Sequence, residues 1–127
     1  MKGKLISIYQ GYLACLNDQD WARLGGFVHE KAIHNRKELG LSGYRAMLEK
    51  DFEEIPDLHF NAEMLLCDPP FIGCRIDFQC SPKGTFLGLP VNGKRVTFSE
   101  HVFYKFDDEK IIEVWSLIDK AAIEAQL

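Results

Sequence analysis

The stretch RVTFSEHVFYKFDDEKIIEVWSLID, residues 95–119, decides the fold. Apolar and polar residues alternate on both sides of the polar run 107–110, which is the pattern of two β-strands joined by a turn. We therefore predict strands over residues 95–106 and 111–119 that pair as an antiparallel hairpin. Because side chains alternate between the two faces of a strand, this pairing also decides which residues share a face.

Helices come before strands along the rest of the chain. Apolar residues at three- and four-residue spacing predict a helix over residues 3–16, a short helix after Asp20, and a helix from Ser42 to about Glu54 that ends before Pro56. Residues 59–67 and 71–80 alternate as strands, and residues 81–93 form a long loop. This order predicts one α+β domain over residues 1–127, with the helices packed on one face of a curved antiparallel sheet.

Composition excludes several classes of protein. The 127 residues carry 15 Lys and Arg against 19 Asp and Glu, and the net charge of −4 argues against a nucleic-acid partner. No apolar run approaches the ~20 residues that span a bilayer, and no segment reads as a signal peptide. We therefore expect a cytoplasmic protein with neither a nucleic-acid nor a membrane partner.

The four cysteines predict free thiols rather than disulfides or a metal site. No Cys-x-x-Cys pair is present, and no His lies at zinc-finger spacing from a Cys. Disulfides need a secretory context, which the sequence does not indicate. We expect buried, reduced cysteines and no metal ion. The cysteines are Cys15, Cys67, Cys74 and Cys80.

The predicted hairpin brings two carboxylates to one face. If Phe106 faces Ile111, then Glu100 faces Leu117 and becomes a diagonal neighbour of Asp119, with backbones about 7–8 Å apart. A slip of one residue would put Glu100 on the other face from Asp119. The other residues on the predicted face include Phe98, Val102, Tyr104, Trp115 and Leu117.

Carboxylates in such surroundings are candidates for acid/base catalysis. Desolvation and mutual repulsion raise the pKa of a carboxyl group, and a raised pKa suits a general base near neutral pH. The structural alternative is a carboxylate that bonds backbone N–H groups or an arginine. For Asp119, at the strand end, both interpretations stay open. For Glu100, in mid-strand, a paired or functional role is favoured over simple exposure.

Residues elsewhere complete the predicted site. His34, in a polar segment between helices, can act as an acid, a base or a hydrogen-bond donor, or can be merely solvated. Tyr12 on the first helix is core or ends with its hydroxyl in a cavity. We predict a pocket that binds an apolar molecule. Its predicted lining residues are Tyr12, Phe52, Phe98, Val102, Trp115 and Leu117.

Several short motifs, taken in order, resemble the SnoaL-like polyketide cyclase family, often called ester cyclases. The matching segments are 41–44 (LSGY), 55–58 (IPDL), 84–90 (GTFLGLP), 92–94 (NGK) and 110–119 (KIIEVWSLID). They span nearly the whole chain. The sequence departs from the family pattern at 81–83, at 91–93 and at the turn residue Glu109, and these departures bear on the substrate.

The resemblance implies a fold and a chemistry. The fold is the nuclear-transport-factor-2-like cone, in which a curved antiparallel or mixed sheet wraps around three N-terminal helices and encloses an apolar pocket, usually in a homodimer. The chemistry is an intramolecular aldol condensation without metal or cofactor. An aspartate that takes and returns the proton is similar in position to Asp119, and a loop histidine is similar to His34.

Two functions stay open at this point. The first is a cofactor-independent enzyme that acts on a small hydrophobic carbonyl compound, with Asp119 as acid/base, Glu100 as a second carboxyl and His34 as polar partner. The second is a binding protein for a small apolar ligand. We also expect a homodimer through the outer face of the sheet. The residues predicted on that face are Phe103, Ile112, Val114 and Ile118.

Overall fold

The helices and strands of the computed structural model, which describes residues 2–127, follow the predicted order. The helices are α1 (Lys2–Asn17), a 3-10 helix (Trp21–Gly26), α2 (Gly40–Glu54) and α3 (Lys120–Glu124). The strands are β1 (Val28–His34), β2 (Lys37–Glu38), β3 (Asn61–Asp68), β4 (Phe71–Cys80), β5 (Thr85–Phe86), β6 (Leu89–Pro90), β7 (Val96–Asp107) and β8 (Lys110–Ile118). The predicted α+β class is confirmed.

Helix α1 buries the stripe that its apolar spacing predicts, including Leu5, Tyr9 and Leu16. Its last residue, Asn17, ties the helix to the start of the sheet. The Asn17 amide donates to the Phe60 carbonyl over 3.0 Å, and its oxygen accepts from the Phe60 N–H over 2.7 Å. This reciprocal pair satisfies the backbone groups of Phe60 just before β3 and fixes the end of α1 against the sheet.

Helix α2 begins two residues earlier than predicted. It starts at Gly40, follows Leu39 without a side-chain cap, and so does not use Ser42 as its cap. It ends at Glu54 as predicted, because the residue before Pro56 is disfavoured in a helical conformation.

The main sheet has six strands in the order β2-β1-β8-β7-β4-β3. All neighbours are antiparallel except β1 and β8, which run parallel, so the sheet is mixed. The segment around His34, which we expected between helices as an irregular segment, is strand β1. The polar sequence of this segment does not predict a strand. The segment is a strand because its backbone pairs with β8.

The hairpin of β7 and β8 begins in the predicted register and then departs from it. Phe106 pairs with Ile111, but Lys105 pairs with Glu113. Ile112 is therefore an extra residue in β8, and it forms a β-bulge. From this bulge onward, β8 presents the opposite faces to those predicted.

The predicted orientation of β8 is accordingly wrong. Val114, Ser116 and Ile118 face the interior, although we expected Val114 and Ile118 on the outer face. Trp115 and Leu117 lie on the outer face instead, and the side chain of Leu117 is 73% exposed. The one extra residue at the bulge thus determines which side chains of β8 reach the interior.

The cysteines are free, and three of them are buried, whereas Cys67 is half-buried. No helix within residues 2–127 has both the length and the apolar character needed to cross a membrane.

Candidate active site

A cavity of about 230 Å³ lies between α1, α2 and the inner face of the sheet. Most of its lining is apolar, and four phenylalanines from different strands and loops contribute to it. The polar side chains that reach it are Tyr12, His34, Tyr44, Asp51, Glu100, Tyr104 and Ser116.

Glu100 is the carboxyl group on the sheet side of this cavity. It lies in the middle of β7, where alternation turns its side chain inward between Phe98 and Val102. The Ser116 hydroxyl donates a hydrogen bond to Glu100 Oε2. Burial raises the pKa of Glu100, and the Ser116 hydrogen bond partly offsets that rise. Within residues 2–127, Glu100 Oε1 accepts no hydrogen bond, so this oxygen is available to a ligand.

Asn35 fixes the position of Ser116. The Asn35 side chain accepts from the Ser116 N–H over 2.7 Å and donates to the Ser116 carbonyl over 3.2 Å. The residue follows directly after β1 and has a φ of 46°, a left-handed conformation that Asn tolerates well. Asn35, Ser116 and Glu100 thus form a chain of hydrogen bonds that orients the carboxyl group.

Asp51 is the carboxyl group on the helix side of the cavity. It lies on α2, seven residues after Tyr44 and therefore about 10 Å further along the same helix face. Burial, followed by the negative charges of Glu100 and Glu54, raises the pKa of Asp51 to about 7. A carboxyl group with that pKa exchanges protons readily at neutral pH.

Three tyrosine hydroxyls reach the same cavity. Tyr12 and Tyr44 form a hydrogen bond of 2.7 Å, and Tyr9, behind the cavity wall, donates to Tyr104 over 3.1 Å. Burial raises the pKa of each of these hydroxyls well above its usual range. They are therefore neutral hydrogen-bond donors under physiological conditions.

His34, at the end of β1, also lines the cavity, as predicted from the sequence. Burial lowers the pKa of its imidazole, and the positive charge of Lys37 lowers it further. Its ring packs edge-on against Tyr44 with 6.1 Å between centroids. A neutral His34 can accept or donate a hydrogen bond without adding a positive charge to the cavity.

The sequence profile of the family described as SnoaL-like polyketide cyclase matches residues 6–127. The chain belongs to this family. The resemblance found in the sequence motifs is therefore confirmed. A search of curated protein sequences found no match for the chain.

Solved structures agree with membership of the SnoaL-like polyketide cyclase family. A SnoaL-like polyketide cyclase from Agrobacterium tumefaciens is 53% identical over 96% of each chain, with a TM-score of 0.95. TsrD from Streptomyces laurentii is 20% identical over 99% of this chain and 96% of its own, with a TM-score of 0.85. IdmH from Streptomyces antibioticus is 15% identical over 96% of each chain, with a TM-score of 0.82. The last two show only the fold, which is the nuclear-transport-factor-2-like cone.

Asp119, the aspartate that the SnoaL-like resemblance singles out, does not line the cavity. It follows β8 and caps α3, where its side chain accepts a hydrogen bond from the Ala122 N–H over 3.1 Å. The predicted diagonal pair of Glu100 and Asp119 is wrong, because the bulge at Ile112 changes the register of β8. The structural interpretation left open for Asp119 fits its geometry.

The other predicted residues divide between the cavity and its surroundings. Tyr12, Phe98 and Val102 line the cavity of this SnoaL-like protein. Phe52 is buried outside it, against Trp21 and Phe60, with ring centroids 5.8 Å and 6.1 Å away. Two further residues predicted in the pocket, Trp115 and Leu117, lie on the outer face of the sheet.

Sequence reasoning missed Asp51, Tyr44, Tyr104 and Ser116 as site residues. For Asp51 a signal existed, since it stands in the apolar stripe of α2 between Leu48 and Ile55, where a carboxylate is costly unless it has a role. For Ser116 no signal existed, because the bulge alone turns it inward. Within residues 2–127, no group of three or more His, Cys, Asp or Glu side chains could hold a metal ion.

Proposed function

We propose that this protein is an enzyme that moves protons on a small apolar carbonyl compound, with Glu100 as the group that takes the proton from carbon. One observation carries the proposal. Two carboxyl groups with raised pKa values, Glu100 and Asp51, line one largely apolar cavity in a chain of the SnoaL-like polyketide cyclase family. Perturbed carboxyl groups that share a cavity are typical of acid/base catalysis.

The proton transfer follows from the chemistry of a carbonyl compound. Ionised Glu100 takes a proton from the carbon next to the carbonyl, and the C–H electron pair forms a carbon–carbon double bond. The carbonyl π pair moves to oxygen, which gives an enolate and a neutral Glu100. Return of the proton to another carbon isomerises the compound. Attack of the enolate carbon on a second carbonyl of the same molecule closes a ring, as an aldol cyclisation requires.

In this proposal, Asp51 and His34 assist the proton transfer. With a pKa of about 7, Asp51 can give a proton to a developing alkoxide or take one from Glu100 between turnovers. His34 offers a neutral hydrogen-bond partner at the cavity wall. A protein that only binds an apolar ligand needs neither carboxyl group in its cavity, since burial of a carboxylate destabilises the fold. The presence of two carboxyl groups in one cavity therefore favours catalysis over binding alone.

Deuterium exchange into a model ketone tests the proposal. The probe is β-tetralone, a two-ring ketone with acidic protons next to its carbonyl, dissolved in heavy water and followed by proton NMR. We expect the protein to accelerate loss of these signals beyond a buffer with the same carboxylate concentration. Saturation with tetralin, the same ring system without oxygen, should suppress the acceleration. An exchange rate equal to that of the buffer would contradict the proposal.

We also propose that the protein forms a homodimer through the outer face of the sheet. Residues paired across four strands form one row there: Leu66, Gly73, Phe103 and Trp115. The side chain of Phe103 is 61% exposed and covers Gly73, where a Cβ would lie 3.0 Å from the ring. An exposed apolar row across a sheet indicates an interaction surface.

The polar groups beside this row favour a second copy of the chain as the partner. Arg75 contacts Glu63 at 3.1 Å and His101 at 2.8 Å within its own chain. The charges are therefore balanced within each copy, and two copies can meet about a two-fold axis without strong repulsion. The residues proposed for the contact replace Val114 and Ile118, which face the interior.

Substitution of Phe103 by lysine tests the dimer. A two-fold interface contains each residue twice, and loss of a central aromatic residue typically costs 2 kcal/mol or more, so we expect dimerisation to weaken by roughly a hundredfold or more. Sedimentation equilibrium measures the dissociation constant. Leu127→Lys, which also adds a lysine at an exposed leucine, should leave it unchanged. A monomeric wild-type protein would contradict the proposal.

We further propose a cytoplasmic location, as expected from the sequence. The four free cysteines support it, because free thiols persist in a reducing compartment.

A further inference from the structure

The four tyrosines of the chain are gathered at one end of the cavity. They come from α1, α2 and β7, and each is at most 4% exposed. Tyr12, Tyr44 and Tyr104 line the cavity, whereas Tyr9 stands behind Tyr104. Their hydroxyls are the main hydrogen-bonding groups at this end, next to Glu100.

A count of hydroxyl hydrogens shows what this cluster offers to a ligand. Each tyrosine carries one hydroxyl hydrogen. Tyr9 uses its hydrogen to donate to Tyr104, and the Tyr12–Tyr44 bond uses one of the two hydrogens of that pair. Among residues 2–127, no acceptor takes the hydrogen of Tyr104 or the second hydrogen of the Tyr12–Tyr44 pair. Two hydroxyl donors are thus free to bond an oxygen in the cavity.

The other side of the cavity accepts a flat apolar group. Phe78 and Phe98 stack with 5.2 Å between ring centroids, and Phe86 packs on Phe98 at 5.7 Å. A dry cavity of about 150 Å³ holds one benzene ring, and drug-sized ligands occupy about 300–1,000 Å³. The cavity of about 230 Å³ therefore fits a compound of one or two rings.

We propose that Tyr104 and the Tyr12–Tyr44 pair form the subsite for the carbonyl oxygen of the substrate, a one- or two-ring ketone whose ring lies against the phenylalanines. This inference rests on the proposed function, since it assigns the carbonyl that the acid/base step requires. When Glu100 removes a proton from the adjacent carbon, the oxygen gains negative charge. Hydrogen bonds to a charged oxygen are stronger than those to a neutral one, so the two donors stabilise the enolate more than the ketone.

A pair of matched ligands isolates this subsite from catalysis. β-Tetralone and tetralin share one ring system, and only β-tetralone carries the oxygen. The ratio of their dissociation constants, measured by calorimetry, reports the hydrogen bonds to that oxygen. Binding of tetralin reports whether a variant keeps an intact cavity.

The hydrogen count predicts a distinctive pattern among the variants. Tyr104→Phe should lower the preference for β-tetralone about three- to tenfold, which is the loss of one hydrogen bond. Tyr44→Phe should change it less than about twofold, because Tyr12 then keeps its own hydrogen free. The double variant Tyr12→Phe/Tyr44→Phe should again lose about three- to tenfold. Tyr9→Phe, the matched control outside the cavity, should also stay within about twofold.

The infrared carbonyl band of bound β-tetralone gives a second readout. We expect a shift to lower frequency in the wild-type protein, and its partial return in Tyr104→Phe and in the double variant. Equal affinity of the wild-type protein for both ligands, or an unchanged preference in Tyr104→Phe and the double variant, would overturn the inference. If the preference for β-tetralone follows the predicted pattern among the variants but the protein catalyses no deuterium exchange, the proposed function alone would be overturned. Exchange without tyrosine-dependent preference would overturn the subsite alone.

Discussion

Replacement of Glu100 by glutamine is expected to slow deuterium exchange of β-tetralone by roughly a hundred- to ten-thousand-fold. Glutamine keeps the shape of the side chain and can still bond Ser116, but it cannot take a proton from carbon. Its neutral amide also removes the cost of a buried charge, so the variant should fold. Proton NMR in heavy water measures the rate, and the dissociation constant of tetralin checks that the cavity is intact.

Asp119→Asn is the matched comparison for this variant. It makes the same carboxylate-to-amide change outside the cavity, at the cap of α3, where asparagine is also a favourable residue. We expect its exchange rate to stay within about twofold of the wild-type rate, because a surface change away from the reacting atoms has little effect on them. If Asp119→Asn lost most of its exchange rate while Glu100→Gln kept the wild-type rate, Asp119 would be the acid/base, as expected from the sequence.

Replacement of Asp51 by asparagine is expected to stabilise the protein at alkaline pH. The folded pKa of Asp51 is about 7, against about 3.9 for an unfolded aspartate. The folded state therefore holds this proton more tightly, and its contribution to stability falls as the pH rises from about 4 to about 7. Three pKa units correspond to at most about 4 kcal/mol, and partial solvent access reduces this to about 2 kcal/mol.

Urea unfolding at two pH values measures this effect. At pH ~8 the free energy of unfolding of Asp51→Asn should exceed that of the wild type by about 2 kcal/mol, and at pH ~4 the two should agree. Asp68→Asn, the same change at an exposed strand end, should differ from the wild type by less than about 0.5 kcal/mol at both. A difference between Asp51→Asn and wild type that does not depend on pH would contradict the raised pKa. If Asp51→Asn is more stable than the wild type but catalyses deuterium exchange more slowly, Asp51 supports activity at the expense of stability.

Strand β7 was predictable because most of it alternates strictly. From His101 to Asp107 every second residue is exposed and the others are buried, and the main interruption of the pattern is Ser99, which is buried beside Phe98. Such a pattern admits one orientation when one face packs on helices. Glu100 was therefore correctly predicted on the inner face from the sequence alone.

Strand β8 was not predictable in the same way. Its turn residues Asp108 and Glu109 both have positive φ, of 50° and 64°, so the hairpin forms a tight two-residue turn without glycine. The turn thus fixes the first pair, but a bulge two residues later leaves no mark in the sequence. Hydrophobicity favours Trp115 on the inner face and Ser116 on the outer face, and the bulge at Ile112 reverses this arrangement.

The sequence could not decide the role of Asp119, because an aspartate after an apolar strand has two explanations. It can end a strand that enters a cavity, or it can cap the next helix, and the difference depends on a short C-terminal helix of five residues. The family resemblance correctly identified the fold, but the motif around Trp115 carried a catalytic expectation that the geometry does not support. Asp51 supplies a second carboxyl group from a different element.

The bulge at Ile112 decides which residues of β8 face the cavity. If Ile112 took the place opposite Lys105 as an ordinary strand residue, every later residue would shift by one position and turn to the other face. Trp115 and Leu117 would then enter the cavity, and Ser116, the hydroxyl partner of Glu100, would turn to the outer face. Deletion of Ile112 would instead leave a regular ladder in the present register, because Glu113 would follow Ile111 directly and still face Lys105. The side chains that reach the cavity therefore depend on how the backbone accommodates one residue, and not only on which residues the strand carries.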